Sequence, residues 1–293
     1  MNILRYATVN VFLFAAFAFS VIPQRAIEFS MPLYRFSYSE EFENPLYRNV
    51  LVFGKPRSDE YGSTIGAEFT YKHFNPNSRL SFDVKLNYAR SISHTYDGSL
   101  QGQVYDIKDT SDLFWYYRCI IYEPWIQETN NYFYGANVKF GWLASNNYSR
   151  IVFEPKIAAT INGWTRPVNL FSEYYYWFRI RPGMSITTKN SQNLGIFSEL
   201  SLSIPIWQTM ILDWYGERYK FYIKGKVGWQ FESGFLKYLQ RNRVLRITYF
   251  YEYYGFKESP LVEIRGLGSA YEPSSNTNNH GVKLSLIFGI GGK

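Results

Sequence analysis

From residue 79 to residue 90 the chain alternates apolar and polar side chains. Leu80, Phe82, Val84, Leu86 and Tyr88 share one register, and Ser81, Asp83, Lys85, Asn87 and Ala89 share the other. Successive side chains of a β-strand point to opposite faces, so the segment predicts a strand with one apolar and one polar face. The same period recurs at Ile65, Ala67, Phe69 and Tyr71, and at Tyr132, Tyr134, Ala136, Val138, Phe140 and Trp142. It returns at Tyr219, Phe221, Ile223, Val227 and Trp229, then at Leu245, Ile247, Tyr249, Tyr251 and Tyr253, and finally at Val282, Leu284, Leu286, Phe288 and Ile290. Further strands are expected at about 112–122, 150–162, 174–187 and 194–205. In the interiors of these segments the apolar register carries no charge.

That absence is what a lipid-facing surface requires, because Lys or Arg at the bilayer midplane costs about 2–4 kcal/mol. The chain of 293 residues is 20% aromatic, with 27 Tyr and 24 Phe, an excess that suits strands and membrane interfaces. Beyond the N-terminus no apolar run approaches the roughly 18–20 residues of a spanning helix. The expectation is therefore an all-β chain forming a single antiparallel transmembrane β-barrel. Short inner turns, longer outer loops and an inner C-terminus are the rule for such barrels. Satisfying it adds a strand at about 99–107 to the ten segments already named. An opening strand near 31–40, with Tyr34, Phe36 and Tyr38 outward and Arg35, Ser37 and Ser39 inward, restores an even count. Twelve strands are expected, with ten as the alternative. Pro155 and Pro182 fall inside predicted strands and should mark bulges or strand ends. Phe235, Tyr238 and Leu239 stand at helical spacing, which predicts an interfacial helical turn within 232–241.

The first residues read differently. Arg5 precedes an apolar run from Val9 to Phe19, and Ala16-Phe17-Ala18 supplies a small-x-small pattern, the features of a secretory signal peptide. Residues 1–26 are assigned to it and 27–293 to the barrel. Cys119 is the single cysteine and follows Tyr116-Tyr117-Arg118, so neither an internal disulfide nor a lipoprotein attachment fits.

These features together resemble the bacterial outer-membrane β-barrel superfamily. The stretch Tyr271-Glu272-Pro273-Ser274-Ser275-Asn276-Thr277 leading into Gly281-Val282-Lys283-Leu284 looks like the end of many small porin-like barrels. The last strand also resembles the C-terminal assembly signal of that superfamily, but departs from it because Gly289-Ile290-Gly291-Gly292-Lys293 follows Phe288. The resemblance implies the cell outer membrane, contact with its lipid, and insertion by the barrel-assembly machinery. It names no substrate and no cofactor.

The polar registers place Arg35, Lys72, Lys85, Arg118, Lys139, Lys156, Arg179, Arg181, Lys220, Lys224, Lys226, Arg246 and Lys283 inward. Glu68, Asp83, Glu154, Glu199 and Glu252 face them. The excess of about eight positive charges within low-dielectric walls would concentrate anions. Some twelve-stranded acidic-sugar channels have arginine-rich lumens, and the basic register here looks similar in kind. A small porin-like channel is thus expected. Arg179, Arg181, Lys220, Lys224, Lys226 and Arg246 would set selectivity for small anionic solutes, with Glu199 and Glu252 as the facing anions. The competing expectation is a closed barrel, its cations paired internally, that presents external loops at 41–60 and 256–278 as an anchor or adhesin.

Catalysis is not expected. Outer-membrane phospholipases need His-x-Ser, whereas His73, His94 and His280 precede Phe74-Asn75, Thr95-Tyr96 and Gly281-Val282. Omptin-like proteases are similar in length but need Asp-x-His, which does not occur. His94 reads as a solvated loop residue. Asp106, Asp109 and Asp112, spaced by three across a turn, are read as solvated rather than as a cation site. Export and an inward disposition of charge argue against nucleic acid.

Overall fold

The computed structural model describes residues 24–41, 51–53, 57–99, 103–108, 116–121, 124–144, 151–168, 171–189, 193–239, 242–265 and 268–290. Among these, ten strands close a barrel. In chain order they are β1 (Arg25–Glu41), β2 (Arg57–Asn75), β3 (Leu80–Ser99), β4 (Tyr132–Trp142) and β5 (Ile151–Val168). They continue as β6 (Phe171–Lys189), β7 (Leu194–Trp214), β8 (Gly225–Leu239), β9 (Arg243–Phe256) and β10 (Ser274–Gly289). Each pairs antiparallel with the next, and β10 returns to β1, so the barrel is an uninterrupted meander. Closure leaves no free edge, the condition for a sheet to span lipid. Short strands Pro124–Thr129 and Glu217–Tyr222 prolong β4 and β8 and pair with β3 and β7.

The count is ten, which corrects the expected twelve. Gln103–Lys108 and Tyr116–Ile121, expected as wall strands near 99–107 and 112–122, pair with each other instead. Leu51–Phe53 adds in parallel to make a separate three-stranded sheet. Alternation marks a strand without saying which sheet it joins. Residues 232–241 also differ from expectation, since β8 runs straight through to Leu239 and pairs residue by residue with β9.

The opening strand exists, and its expected register is inverted. Phe29, Met31 and Leu33 face outward, while Phe36 and Tyr38 are fully buried inside and Arg35 is exposed. The reason is length. β2, β3 and β7 contain 19, 20 and 21 residues, about twice the 9–11 that cross hydrocarbon. Above the lipid, apolar side chains gain by turning inward, and the outside turns polar. Arg25 and Ala26, assigned to the signal segment, already pair with His73 and Lys72. Residues 1–23 lie outside the described residues.

Prolines sit where a ladder is broken. Pro32 has no partner on β2, and Pro182 has none on β7. Pro155 lies just past the last pair joining β4 and β5, where its missing N–H removes nothing. The turn after β2 is closed by Asn75, whose side-chain oxygen accepts the N–H of Asn77 at 3.0 Å. Inner turns end on left-handed residues Arg79, Asn193 and Asn242.

The corrected β1 register gives a direct prediction. Leu33→Arg should lower the free energy of folding into lipid vesicles by about 2–4 kcal/mol, read from urea titrations. Ser37→Arg, well above Leu33 on the same face, should change it little.

Candidate functional site

The barrel interior has two storeys. Toward the end that carries the termini, seven cations meet seven carboxylates. The cations are Lys72, Lys85, Lys139, Lys156, Arg181, Arg246 and Lys283, and the anions are Glu28, Glu68, Asp83, Glu154, Glu199, Glu232 and Glu252. Several pairs cross the lumen rather than join neighbours. Lys156 on β5 meets Glu199 on β7 at 2.8 Å, and Lys139 on β4 reaches the same carboxylate at 3.8 Å. Arg181 on β6 pairs with Glu252 on β9 and donates to Gln230 on β8 at 2.6 Å. Lys283 on β10 joins Glu232 on β8 at 3.1 Å and Glu68 on β2 at 3.3 Å. Arg246 on β9 pairs with Glu28 on β1. Two cavities of about 110 and 70 Å³ remain among these groups.

The expected surplus of about eight positive charges is therefore absent from this storey. Arg181, Arg246, Glu199 and Glu252 lie in the lattice as expected. Lys226 also points inward, donating to the carbonyl of Ser275 at 3.1 Å and to Asn276 Oδ1 at 3.0 Å. Arg179 is completely buried, and its guanidinium lies 4.7 Å from the Tyr254 ring centroid. Lys220 and Lys224 are exposed on the outer side, with Lys220 over the ring of Tyr222 at 4.8 Å. Arg35 is outside too, and Arg118 belongs to the separate sheet. Sequence reading missed the inward Glu28 and Glu232: one precedes the segment assigned to β1, and the other was assigned to a helical turn.

The upper storey is aromatic and acidic around one arginine. Arg166 on β5 donates through Nε to Glu173 at 2.6 Å, and its terminal nitrogens reach Glu40 at 3.2 Å and Glu60 at 3.5 Å. Its guanidinium lies 5.3 Å from the ring centroids of both Tyr38 and Trp164. Phe36, Phe133, Trp164, Tyr175, Trp177 and Phe256 fill the space around it. His94, expected in solvent, is buried here. Its Nε2 bonds Thr64 Oγ1 at 2.8 Å, and its Nδ1 faces Asn131 Nδ2 at 2.8 Å. Asn131 in turn accepts from Trp164 Nε1 at 2.7 Å. The outer connection between β9 and β10 is pinned into this layer, for Tyr175 donates to Glu272 at 2.6 Å. Burial first, then the nearby Glu40 and Glu173 carboxylates, push the Glu272 carboxyl well above the usual carboxylate range, against the pull of Arg166.

Among the described residues no group of three or more His, Cys, Asp or Glu side chains is arranged to hold a metal ion. Asp109 and Asp112 lie outside the described residues, so that trio is not placed.

A closed antiparallel barrel with an apolar outer wall and a polar interior has the architecture of a transmembrane β-barrel, the fold of bacterial outer-membrane proteins. No family model matches the chain, and no curated protein does. Among solved structures it resembles the outer-membrane protease OmpT from Escherichia coli, with a TM-score of 0.56 and 10% identity over 93% of this chain and 98% of that one. That likeness concerns the fold. Neisserial surface protein A matches at a TM-score of 0.34 and 7% identity, covering 90% of this chain and 99% of that one. The translocator domain of autotransporter NalP from Neisseria meningitidis matches at 0.36 and 8% identity, covering 98% and 96%. Both matches are too distant to say more.

Two predictions follow from the upper storey. Arg166→Leu leaves Glu40, Glu60 and Glu173 without their cation and should lower stability by about 3–5 kcal/mol in urea titrations of the detergent-solubilised barrel. The second concerns pH. A carboxyl with a raised folded-state pKa binds its proton more tightly when folded, so its contribution is full below the free glutamate value of 4.5 and fades as pH rises. The wild-type urea midpoint minus that of Glu272→Gln should therefore decline as pH rises above 4.5.

Proposed function

We propose that this outer-membrane barrel is closed at rest and acts through its external segments 42–56, 100–123 and 257–273, as an anchor or adhesin. The observation that carries the reading is the balanced ion lattice bridging non-adjacent strands. A conducting path would have to part several desolvated ion pairs at once, each of which loses its partner in a medium where water is scarce. Ten strands also stand nearer the eight whose interior side chains fill the barrel than the sixteen to eighteen that leave an aqueous channel. Neutrality of the lower storey removes the field that would have drawn anions in. On this reading the protein is not an enzyme, since His94 has both ring nitrogens engaged within a packed layer. Its partners are outer-membrane lipid, the barrel-assembly machinery and whatever surface its external segments meet.

Planar-bilayer recording tests this. The purified barrel should give no stable single-channel steps in molar potassium chloride, and the double change Lys220→Glu with Lys224→Glu should leave that silence unaltered. Sustained conductance with an anion-selective reversal potential would instead favour the basic channel expected from the sequence. Removing residues 103–121 should abolish any surface-attachment phenotype while the heat-dependent gel shift of the folded barrel persists.

A further inference from the structure

The wall has a place where neighbouring strands part in mid-course over five residues on each side. β7 and β8 pair from Leu194↔Lys237 to Ser203↔Gly228, and β7 pairs again with the prolongation of β8 from Thr209↔Tyr222 upward. Between these stretches, residues 204–208 and 223–227 do not pair with each other. The register between β7 and β8 is the same on either side of the gap, whereas at this level β7 shifts by one residue against β6 and β8 by one against β9. Each strand reverses its in-and-out alternation inside the gap. Ser203 and Gln208 are both buried, as are Ile223 and Gly228, while Ile206, Trp207 and Val227 are exposed. A cavity of about 570 Å³ occupies this window. Ile206, Trp207, Tyr222 and Lys224 line its outer side, the inward-facing Pro205, Gln208 and Ile223 line its floor, and Glu258, Ser259 and Pro260 of the outer connection cover it.

What lies behind the window is unusual for this barrel. Arg179, the register partner of Pro205, starts on β6, and its guanidinium stacks on Tyr254 and approaches Phe256, both on β9. The side chain therefore crosses behind β7 and β8, the two strands that part. It is completely buried and pairs with no carboxylate among the described residues. Nη1 reaches Ser203 Oγ at 3.4 Å, but Nε and Nη2 have no partner. Those two atoms form one edge of the guanidinium, the edge that takes both oxygens of a carboxylate in parallel. Gln208 stands in the window itself, 4% exposed, with its Nε2 also unpartnered. Gly225 keeps the gap open: a Cβ there would lie 2.3 Å from the Gln208 amide.

We propose that the window between β7 and β8 is a lateral binding site for a long-chain carboxylate drawn from the membrane. Its head enters beside Gln208 to meet the open edge of Arg179, and its chain lies along Ile206, Trp207 and Val227. The membrane is the source because the window opens on the apolar outer wall. The head is anionic because a desolvated guanidinium without a counter-ion is the group an anion would repair, and a single charge matches a single cation. This site is independent of whether the barrel conducts.

The test uses the full barrel in phosphatidylcholine nanodiscs and radiolabelled oleate, with methyl oleate and acetate as competitors. Oleate should bind saturably. Methyl oleate, which keeps the chain and lacks the charge, should compete at least about ten-fold more weakly, and acetate should not compete. Arg179→Gln should weaken oleate binding by about ten- to a hundred-fold. Gly225→Leu fills the window while leaving Arg179 in place, and should do the same. Both variants are checked for the heat-dependent gel shift, and if Arg179→Gln does not fold, the competition arms and Gly225→Leu still decide. Absence of saturable oleate binding, equal competition by methyl oleate, or oleate binding unchanged in a folded variant would overturn the proposal. Equal competition by acetate would make the site one for free anions, and would overturn the membrane-borne ligand.

Discussion

Ten strands curl into a cylinder too narrow to keep its inward charges in water, and that constraint organises the rest of the molecule. Alternation sends every second side chain inside regardless of its chemistry. A charge placed there loses most of its hydration and has to recover it from neighbours. The lower storey does this with equal numbers of cations and carboxylates, several of them facing partners two or three strands away. Lys139 and Lys156 share Glu199, while Glu28 is shared by Lys72 and Arg246. Such sharing ties non-adjacent strands together, which backbone ladders cannot do. It also makes the interior electrically quiet, although the whole chain carries +7. The basic surplus belongs to the exterior and the outer segments, where Arg35, Lys220 and Lys224 are exposed.

Above the bilayer the same alternation serves the opposite end. Strands long enough to leave the lipid no longer have an apolar surround, so their large aromatics turn inward. Phe36, Phe133, Trp164 and Tyr175 stack into a plug, with centroid separations of 5.2 Å between Phe36 and Phe133 and 4.7 Å between Trp164 and Tyr175. The plug needs polar anchors because the backbone and the outer connections bring carboxylates with them. Arg166 holds three of these, and a fourth, Glu272, accepts from Tyr175 instead. Rigidity at the mouth follows from aromatic stacking and one buried cation rather than from the membrane.

The switch between these storeys explains what could and could not be read from the sequence. Each of the ten wall strands overlaps a segment of two-residue periodicity, although β8 continues through residues read as a helical turn. Within the lipid band the apolar register was legible because hydrocarbon tolerates no charge: Leu80, Leu86 and Tyr88 face outward as their pattern requires, as do Phe140, Ile247 and Leu284. Outside that band the rule has no force. Phe36 and Tyr38 follow Leu33 at odd spacing, and only the tertiary arrangement reveals that the plug outbids the solvent for them. The carboxylates that alternation left uncounted sat near strand ends, such as Glu28, Glu40, Glu60 and Glu173, or, like Glu232, in a segment read as a helical turn. Two loop strands imitated wall strands because a ribbon in water alternates as well.

Lys220 and Lys224 were misplaced for a different reason, which bears on how the wall is built. Their segment was read as one unbroken alternation from Tyr219 to Gln230, whereas the chain changes phase between Ile223 and Val227. A single bulge would shift the register of everything above it. Matching phase changes on β7 and β8 cancel between the two strands, so their own ladder resumes in the same register, and the one-residue shift is taken up where β7 meets β6 and where β8 meets β9. Pro205 has no N–H to leave unpaired, and Gly225 has no side chain to close the gap. Lys224, at the edge of the window, passes its carbonyl to Lys257 N–H at 2.6 Å instead of to β7. A strand pair that merely failed to zip would be expected to leave ordinary residues and orphaned backbone groups in lipid, a costly outcome with no compensation. Here the residues at the opening are those that reduce that cost, and they stand in front of the one inward arginine that no carboxylate neutralises among the described residues.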